Sequence, residues 1–257
     1  MIAPDIDPVA LSLGPLKIHW YGLMYLFGFA GAWWLGNYRS KKPQYGWTPE
    51  QVSDLIFYAA MGVIFGARIG YILFYNFSSY LDRPWEIFYI WKGGMSFHGG
   101  LLGVLVAMWY FKRKTGHGLL KIMDFGAPLA PIGLFFGRFG NFINQELWGK
   151  VTDAPWGMVF RNAGPLPRHP SMLYEMLLEG LLLFIILFFY TLKPRPTGAA
   201  IGVFLLGYGI FRSLVEFVRV PDVQLGYLAF GWVTMGQVLS FPMALLGIAF
   251  LVYAYKK

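Results

Sequence analysis

Apolar residues fall into seven runs, at about residues 18 to 38, 52 to 75, 95 to 111, 122 to 143, 172 to 192, 198 to 218 and 233 to 255, and the segments between them gather most of the charge. Most of these runs approach the roughly 20 residues that a helix needs to cross the hydrocarbon core of a bilayer. The third is short, and the fourth carries Pro128 and Pro131. None shows the period-two alternation of a lipid-facing strand, which argues against an outer-membrane barrel. The pattern predicts an all-α integral membrane protein: seven transmembrane helices in a single polytopic domain over residues 1–257. The segments 76–94, 144–171 and 219–232 are expected to form a small head on one face.

Composition agrees with the pattern: 57% of the 257 residues are hydrophobic and only 13% are charged, against about a quarter charged in a soluble domain. The formal net charge of +8 would suit a nucleic-acid partner, but its placement points elsewhere. Arg39, Lys41 and Lys42 follow the first run, Lys112, Arg113, Lys114 and Lys121 lie around the third connection, Lys193 and Arg195 follow the fifth run, and Lys256 and Lys257 end the chain. With seven crossings all of them fall on one side, so the positive-inside rule places the C-terminus in the cytoplasm and the N-terminus outside. The basic excess is a topology signal and implies no nucleic-acid partner. The opening residues carry Asp5 and Asp7 rather than a basic start, so the first run reads as an uncleaved anchor.

Polar residues inside the runs are costly and usually mark a site. Under this topology Tyr21, His98, His169, Glu175, Arg138 and Arg212 all map to the outer leaflet. Arg138 and Arg212 lie about 8 to 9 Å below the outer ends of their helices at 1.5 Å per residue. That depth suits a lipid phosphate, and two forked, permanently charged guanidinium groups suit its geometry. Arg68, in the outer half of the second run, is a third phosphate candidate; it could equally snorkel or pair with a carboxylate such as Glu216.

The fourth run ends Gly137-Arg138-Phe139-Gly140-Asn141-Phe142-Ile143-Asn144-Gln145-Glu146-Leu147-Trp148-Gly149. Spacings of three and four would align Arg138, Asn141 and Gln145 on one face of a continued helix, either against a ligand or as a polar clamp between helices. Arg212 and Glu216 are one turn apart and can pair, with Tyr208 one turn earlier on the same face. His98 is bracketed by Gly93, Gly94, Gly99 and Gly100, which would expose a side chain that titrates near neutrality. Ser96 and His98 do not form a hydrolase pair, since residues two apart on a helix diverge and no Gly-x-Ser-x-Gly elbow is present. Around Arg168, His169, Ser171 and Glu175 the favoured reading is a helix entry, with Ser171 as cap and Glu175 near the first turn.

These motifs, together with His19-Trp20-Tyr21-Gly22-Leu23-Met24-Tyr25 and Tyr208-Gly209-Ile210-Phe211-Arg212-Ser213-Leu214-Val215-Glu216-Phe217, resemble the bacterial prolipoprotein diacylglyceryl transferases in order along nearly the whole chain. The resemblance implies a seven-span enzyme of the bacterial inner membrane with its active site toward the periplasmic leaflet. It also implies two partners besides membrane lipids: phosphatidylglycerol, which gives up its diacylglyceryl group, and the signal peptide of a preprolipoprotein, whose lipobox cysteine thiol receives it. A thioether forms and glycerol phosphate leaves. On that basis His98, Arg138 and Arg212 are the expected catalytic residues, with His98 as thiol base. Tyr21, Asn141, Glu146, Tyr208 and Glu216 would bind or orient the headgroup, with Arg68, His169 and Glu175 in support. Gln145 stands where many relatives carry glycine.

No metal or cofactor motif is visible, and with no cysteine in the chain a sulfur nucleophile must come from the substrate. A lipid or solute transporter with an outer-leaflet anion site is the alternative. Transporters place polar residues near the midplane and are commonly built from repeats, whereas the polar residues here gather at one leaflet and no matching repeat is evident.

Overall fold

The computed structural model describes residues 1–14, 16–89, 93–221 and 226–256; parts of two expected head segments, 90–92 and 222–225, lie outside the described residues, as does Lys257. A helix covers each of the seven apolar runs: α1 (Trp20–Ser40), α2 (Pro49–Tyr75), α4 (Phe97–Thr115), the pair α5 (Leu119–Gly126) and α6 (Ala130–Ile143), a segment opening with α7 (Ser171–Glu175) and closing with α8 (Leu183–Tyr190), α9 (Ala199–Glu216) and α10 (Met235–Tyr255). Among the described residues four helical segments are long and apolar enough to cross a membrane, Pro49–Tyr75, Ser171–Tyr190, Ala199–Glu216 and Met235–Tyr255, and a fifth results if α5 and α6 form one broken span. The break is a bend of 49°. Pro128 and Pro131 account for it, because proline withholds the amide that would continue the ladder and its ring clashes with the preceding turn.

Two features depart from an all-α reading. Val9–Leu13 (β1) and Leu16–His19 (β2) form an antiparallel hairpin ahead of α1, with Ser12 opposite Lys17. The fifth run is not a uniform α-helix: Met176–Leu182 forms a π-helical turn between α7 and α8. The chain divides into two compact units, Met1–Trp34 with Asp124–Lys257, and Leu35–Met123.

In the second unit α2 and α4 approach through glycines. A Cβ on Gly70 would lie 2.7 Å from the Cα of Gly99, and one on Gly66 would lie 2.7 Å from the Cα of Gly103. Stripes of small residues let backbones of membrane helices meet where lipid offers no hydrophobic drive between them. α2 begins in a capping box, the Thr48 hydroxyl accepting from the Gln51 amide while the Gln51 side chain accepts from the Thr48 amide, with Pro49 in the first turn. At the other end of this unit α3 (Phe77–Asp82) precedes a 3₁₀ turn, Pro84–Phe88.

In the first unit, Gly180 of the π-turn packs directly on α6, where an added Cβ would meet the Cα of Phe135 at 2.7 Å. Gly209 of α9 lies against α10 in the same way, where an added Cβ would meet the Ser240 carbonyl oxygen at 2.8 Å. Ala3, Phe160, Ala163 and Met172 form a small core of their own, with Phe142, Trp148 and Met158 packed against it. Residues 1 to 3 run parallel to the segment around Val159, the Ala3 amide donating to the Val159 carbonyl and the Val159 amide to the Met1 carbonyl.

Candidate active site: a buried arginine and glutamate cluster

The first unit concentrates its charge where α6, α7, the π-turn and α9 meet. Glu175, the last residue of α7, is fully buried. One of its oxygens, Oε2, lies 2.5 Å from Nε of Arg138 on α6, and the other, Oε1, lies 2.8 Å from Nη1 of Arg212 on α9. A single carboxylate therefore holds both arginines. Arg212 turns its second terminal nitrogen to Glu216, at 2.5 Å, and Glu216 also takes Arg219, at 3.3 Å. The other oxygen of Glu216 accepts from the Thr234 hydroxyl at 2.5 Å. A side chain on Gly236 would collide with the Glu216 carboxyl, so glycine is required there to admit it. Glu179, fully buried in the π-turn, lies 4.0 Å from Arg212.

A polar chain leads outward from Arg138. Its Nη1 donates to the Asn141 side-chain carbonyl at 3.3 Å, and the Asn141 amide donates to Glu146 at 2.7 Å. Asn144 donates to the same Glu146 oxygen at 3.3 Å. Asn141 is buried and Glu146 is exposed, so the chain runs from interior to surface. Tyr21 of α1 packs its ring on Gly140, where a Cβ would lie 2.9 Å from the ring, and its hydroxyl is 3.4 Å from that of Tyr25. Among the described residues the second terminal nitrogen of Arg138 has no protein partner, and its side chain keeps 19% of its exposure. Arg138 thus has donors to offer an incoming anion. Tyr208 stacks on Phe204 at 6.0 Å between ring centres and lies within electrostatic range of Glu179 and Arg212.

Several expectations need correction. Ser171 does not cap α7, which has no side-chain cap; its hydroxyl donates instead to the Leu147 carbonyl at 2.7 Å, while Glu175, near the first turn as expected, turns its carboxylate to the arginines of two other helices. Gln145 leaves the helical face because α6 ends at Ile143 and Gln145 adopts a positive φ of 54°. Its side chain donates to the Pro4 carbonyl and accepts from the Arg161 amide, which braces the head.

Arg68 offers a phosphate nothing, for its donors are spent on backbone carbonyls of one loop: Nε to Ile87, Nη1 to Gly93 and Gly94, and Nη2 to Glu86 and Tyr89. Those five contacts match the five N–H groups of a guanidinium. His169 is a wall of the head, its Nδ1 3.0 Å from the Tyr174 hydroxyl, and burial holds its imidazole below the ordinary histidine value.

His98 belongs to the second unit, where it is exposed on the first turn of α4 with its ring edge-on to Phe97. Ser96 caps this helix by accepting from the Gly99 amide. Gly99 packs against α2, so its smallness serves helix contact rather than exposure of His98.

Sequence reasoning singled out neither Glu179 nor Arg219. Glu179 was detectable by the same energetic anomaly that marked Arg138, an ionisable group within an apolar run.

The fold and this cluster define a multi-pass helical membrane protein with a buried arginine and glutamate network near the ends of its helices. Residues 8–253 match the family model described as prolipoprotein diacylglyceryl transferase, and the chain belongs to that family. It is similar to proteins named phosphatidylglycerol–prolipoprotein diacylglyceryl transferase: it is 63% identical to that of Pseudomonas paraeruginosa over 99% of this chain and 96% of the relative, and 61% identical to that of Nitratidesulfovibrio vulgaris over 95% and 93%. The corresponding protein of Pseudomonas fluorescens is 59% identical over 99% and 95%. The chain is therefore a transferase.

Proposed function

We propose that this protein transfers the diacylglyceryl group of phosphatidylglycerol to the lipobox cysteine thiol of a preprolipoprotein. The observation that carries the reading is the suspension of Arg138 and Arg212 from the single carboxylate of Glu175. It fixes two guanidinium groups where one phosphate could engage both, while Arg138 keeps free donors.

The thiol, ordinarily near pKa 8.5, must lose its proton before it is a good nucleophile. His98 is the residue we assign to take it. The sulfur then attacks the glyceryl methylene carbon, the carbon–oxygen bond to phosphate breaks, and its electron pair leaves on the phosphate oxygen of glycerol phosphate. Negative charge grows on that phosphate in the transition state, where fixed arginine donors stabilise it most. Asn141 and Tyr21 orient the headgroup around Arg138, Glu146 lies at the exposed end of the polar chain, and Tyr208 and Glu216 set the position of Arg212.

The same reading takes all seven helical segments as crossings of the bacterial inner membrane, with the N-terminus and the cluster toward the periplasm and the C-terminus in the cytoplasm. The distribution of lysine and arginine among the connections supports that orientation. Purified protein given phosphatidylglycerol labelled in its acyl chains and a lipobox peptide should move label to the peptide cysteine. Cleavage of the peptide without label would overturn the reading.

A further inference from the structure

Glu179 takes no part in the reaction as described, yet an ionisable side chain inside an apolar helix is costly enough to require a reason. It is fully buried, and neither of its oxygens has a hydrogen-bond partner among the described residues. Its nearest cation, Arg212, lies 4.0 Å away and is already held by Glu175 at 2.8 Å and Glu216 at 2.5 Å. The cluster contains Arg138, Arg212 and Arg219 against Glu175, Glu179 and Glu216, so with every group ionised it neutralises itself. A cluster balanced in this way has no net charge to offer an anionic phosphodiester.

The balance changes if one carboxyl is neutral. Glu175 and Glu216 are each engaged by guanidinium contacts of 2.5 to 2.8 Å, whereas Glu179 has only the 4.0 Å approach of Arg212. We propose that a proton on Glu179 and the phosphodiester of the lipid headgroup occupy this cluster together, each favouring the other, so that headgroup affinity is linked to the protonation of Glu179. The inference rests on the reading of the cluster as the headgroup site.

The groups facing Glu179 are Arg138 from α6, Glu175 from α7, and Tyr208, Arg212 and Glu216 from α9. α8 presents apolar side chains as far as Tyr190. Glu175 and Glu179 are four residues apart, a spacing that sets both on one side of the helical segment and in the same arginine network. π-turns like the one that holds Glu179 recur at functional sites.

Linkage is reciprocal, so the test can read lipid binding alone. Short-chain phosphatidylglycerol is titrated into the full-length protein in detergent across mildly acid to mildly alkaline pH. The wild type should lose affinity as pH rises, by up to about tenfold for each pH unit once Glu179 ionises. Glu179→Gln should bind with an affinity that no longer depends on pH, and Glu179→Asp should keep the dependence. Diacylglycerol, which lacks the phosphodiester, should show none in any variant.

A flat wild-type profile overturns the proposal without recourse to any variant. An unchanged slope in Glu179→Gln, or an equal slope with diacylglycerol, overturns it as well. Because no diacylglyceryl transfer is measured, failure of the lipobox-peptide assay with proton-linked binding intact would sink the enzymatic reading alone.

Discussion

Oε2 of Glu175 lies 2.5 Å from Nε of Arg138, and the opposite oxygen of the same carboxylate lies 2.8 Å from Nη1 of Arg212. Three helical segments thereby meet on one buried acid. Removing one member of a buried charge network leaves its partners uncompensated, which costs about 3 to 5 kcal/mol. Glu175→Gln should therefore lower the thermal unfolding temperature of the detergent-solubilised protein markedly and reduce transfer with it. A variant as stable as the wild type would show that the arginines are held by other means.

Arg138→Lys separates charge from geometry. Lysine keeps the positive charge but cannot reproduce the planar fork that reaches Glu175 through Nε and Asn141 through Nη1. Transfer should fall roughly 10²- to 10³-fold, the usual loss when a donor that stabilises developing charge is removed. Steady-state rates, with size-exclusion profiles as the control for folding, measure it.

Arg68 is a loop staple, which predicts a different phenotype from a phosphate ligand. Arg68→Ala removes the guanidinium donors from the carbonyls of Glu86, Ile87, Tyr89, Gly93 and Gly94. Limited proteolysis should become faster in that loop, whereas the affinity for phosphatidylglycerol should change little. A large loss of lipid affinity with an unaltered cleavage pattern would return Arg68 to the phosphate site.

Gly66→Ala tests the packing of α2 on α4. The new Cβ would lie 2.7 Å from the Cα of Gly103, a backbone atom that can yield only if the helices separate. Overpacking of this kind typically costs about 1 to 3 kcal/mol. Thermal unfolding should register the loss, while Gly133→Ala, which meets nothing within 4 Å, should be close to neutral.

His169 gives the head a pH dependence of definite sign. Burial holds its folded-state pKa below the ordinary 6.5, so the unfolded chain binds the proton more readily. Above the unfolded value both states are neutral and nothing is lost. As pH falls through that value toward the lower folded one, stability declines. Unfolding temperatures measured at neutral and mildly acid pH should differ less in His169→Gln than in the wild type.

The sequence made the helices legible because burial in lipid demands long apolar runs, and each of the seven runs carries a helix. Part of the buried cluster was legible for the related reason that Arg138 and Arg212 are anomalies in such runs. What stayed hidden was set by tertiary partners. Whether Glu175 caps its own helix or ties two others together depends on where α6 and α9 pass, which local spacing does not encode. The π-turn has no simple sequence signature, and with it went the pairing of Glu179 with the arginines. Gln145 was misplaced because a helical spacing was extended two residues beyond Ile143, where the backbone had already turned to a positive φ. The hairpin before α1 fell outside any pattern read for membrane crossings.

The central claim is that Arg138 and Arg212, held by Glu175, grip the headgroup phosphate during diacylglyceryl transfer. The direct measurement compares the wild type with Arg138→Ala in vesicles containing acyl-labelled phosphatidylglycerol and a lipobox peptide, after both proteins have been shown to unfold at comparable temperatures. Label should pass to the peptide cysteine with the wild type and not detectably with Arg138→Ala. Transfer at the wild-type rate by the folded variant would contradict the account.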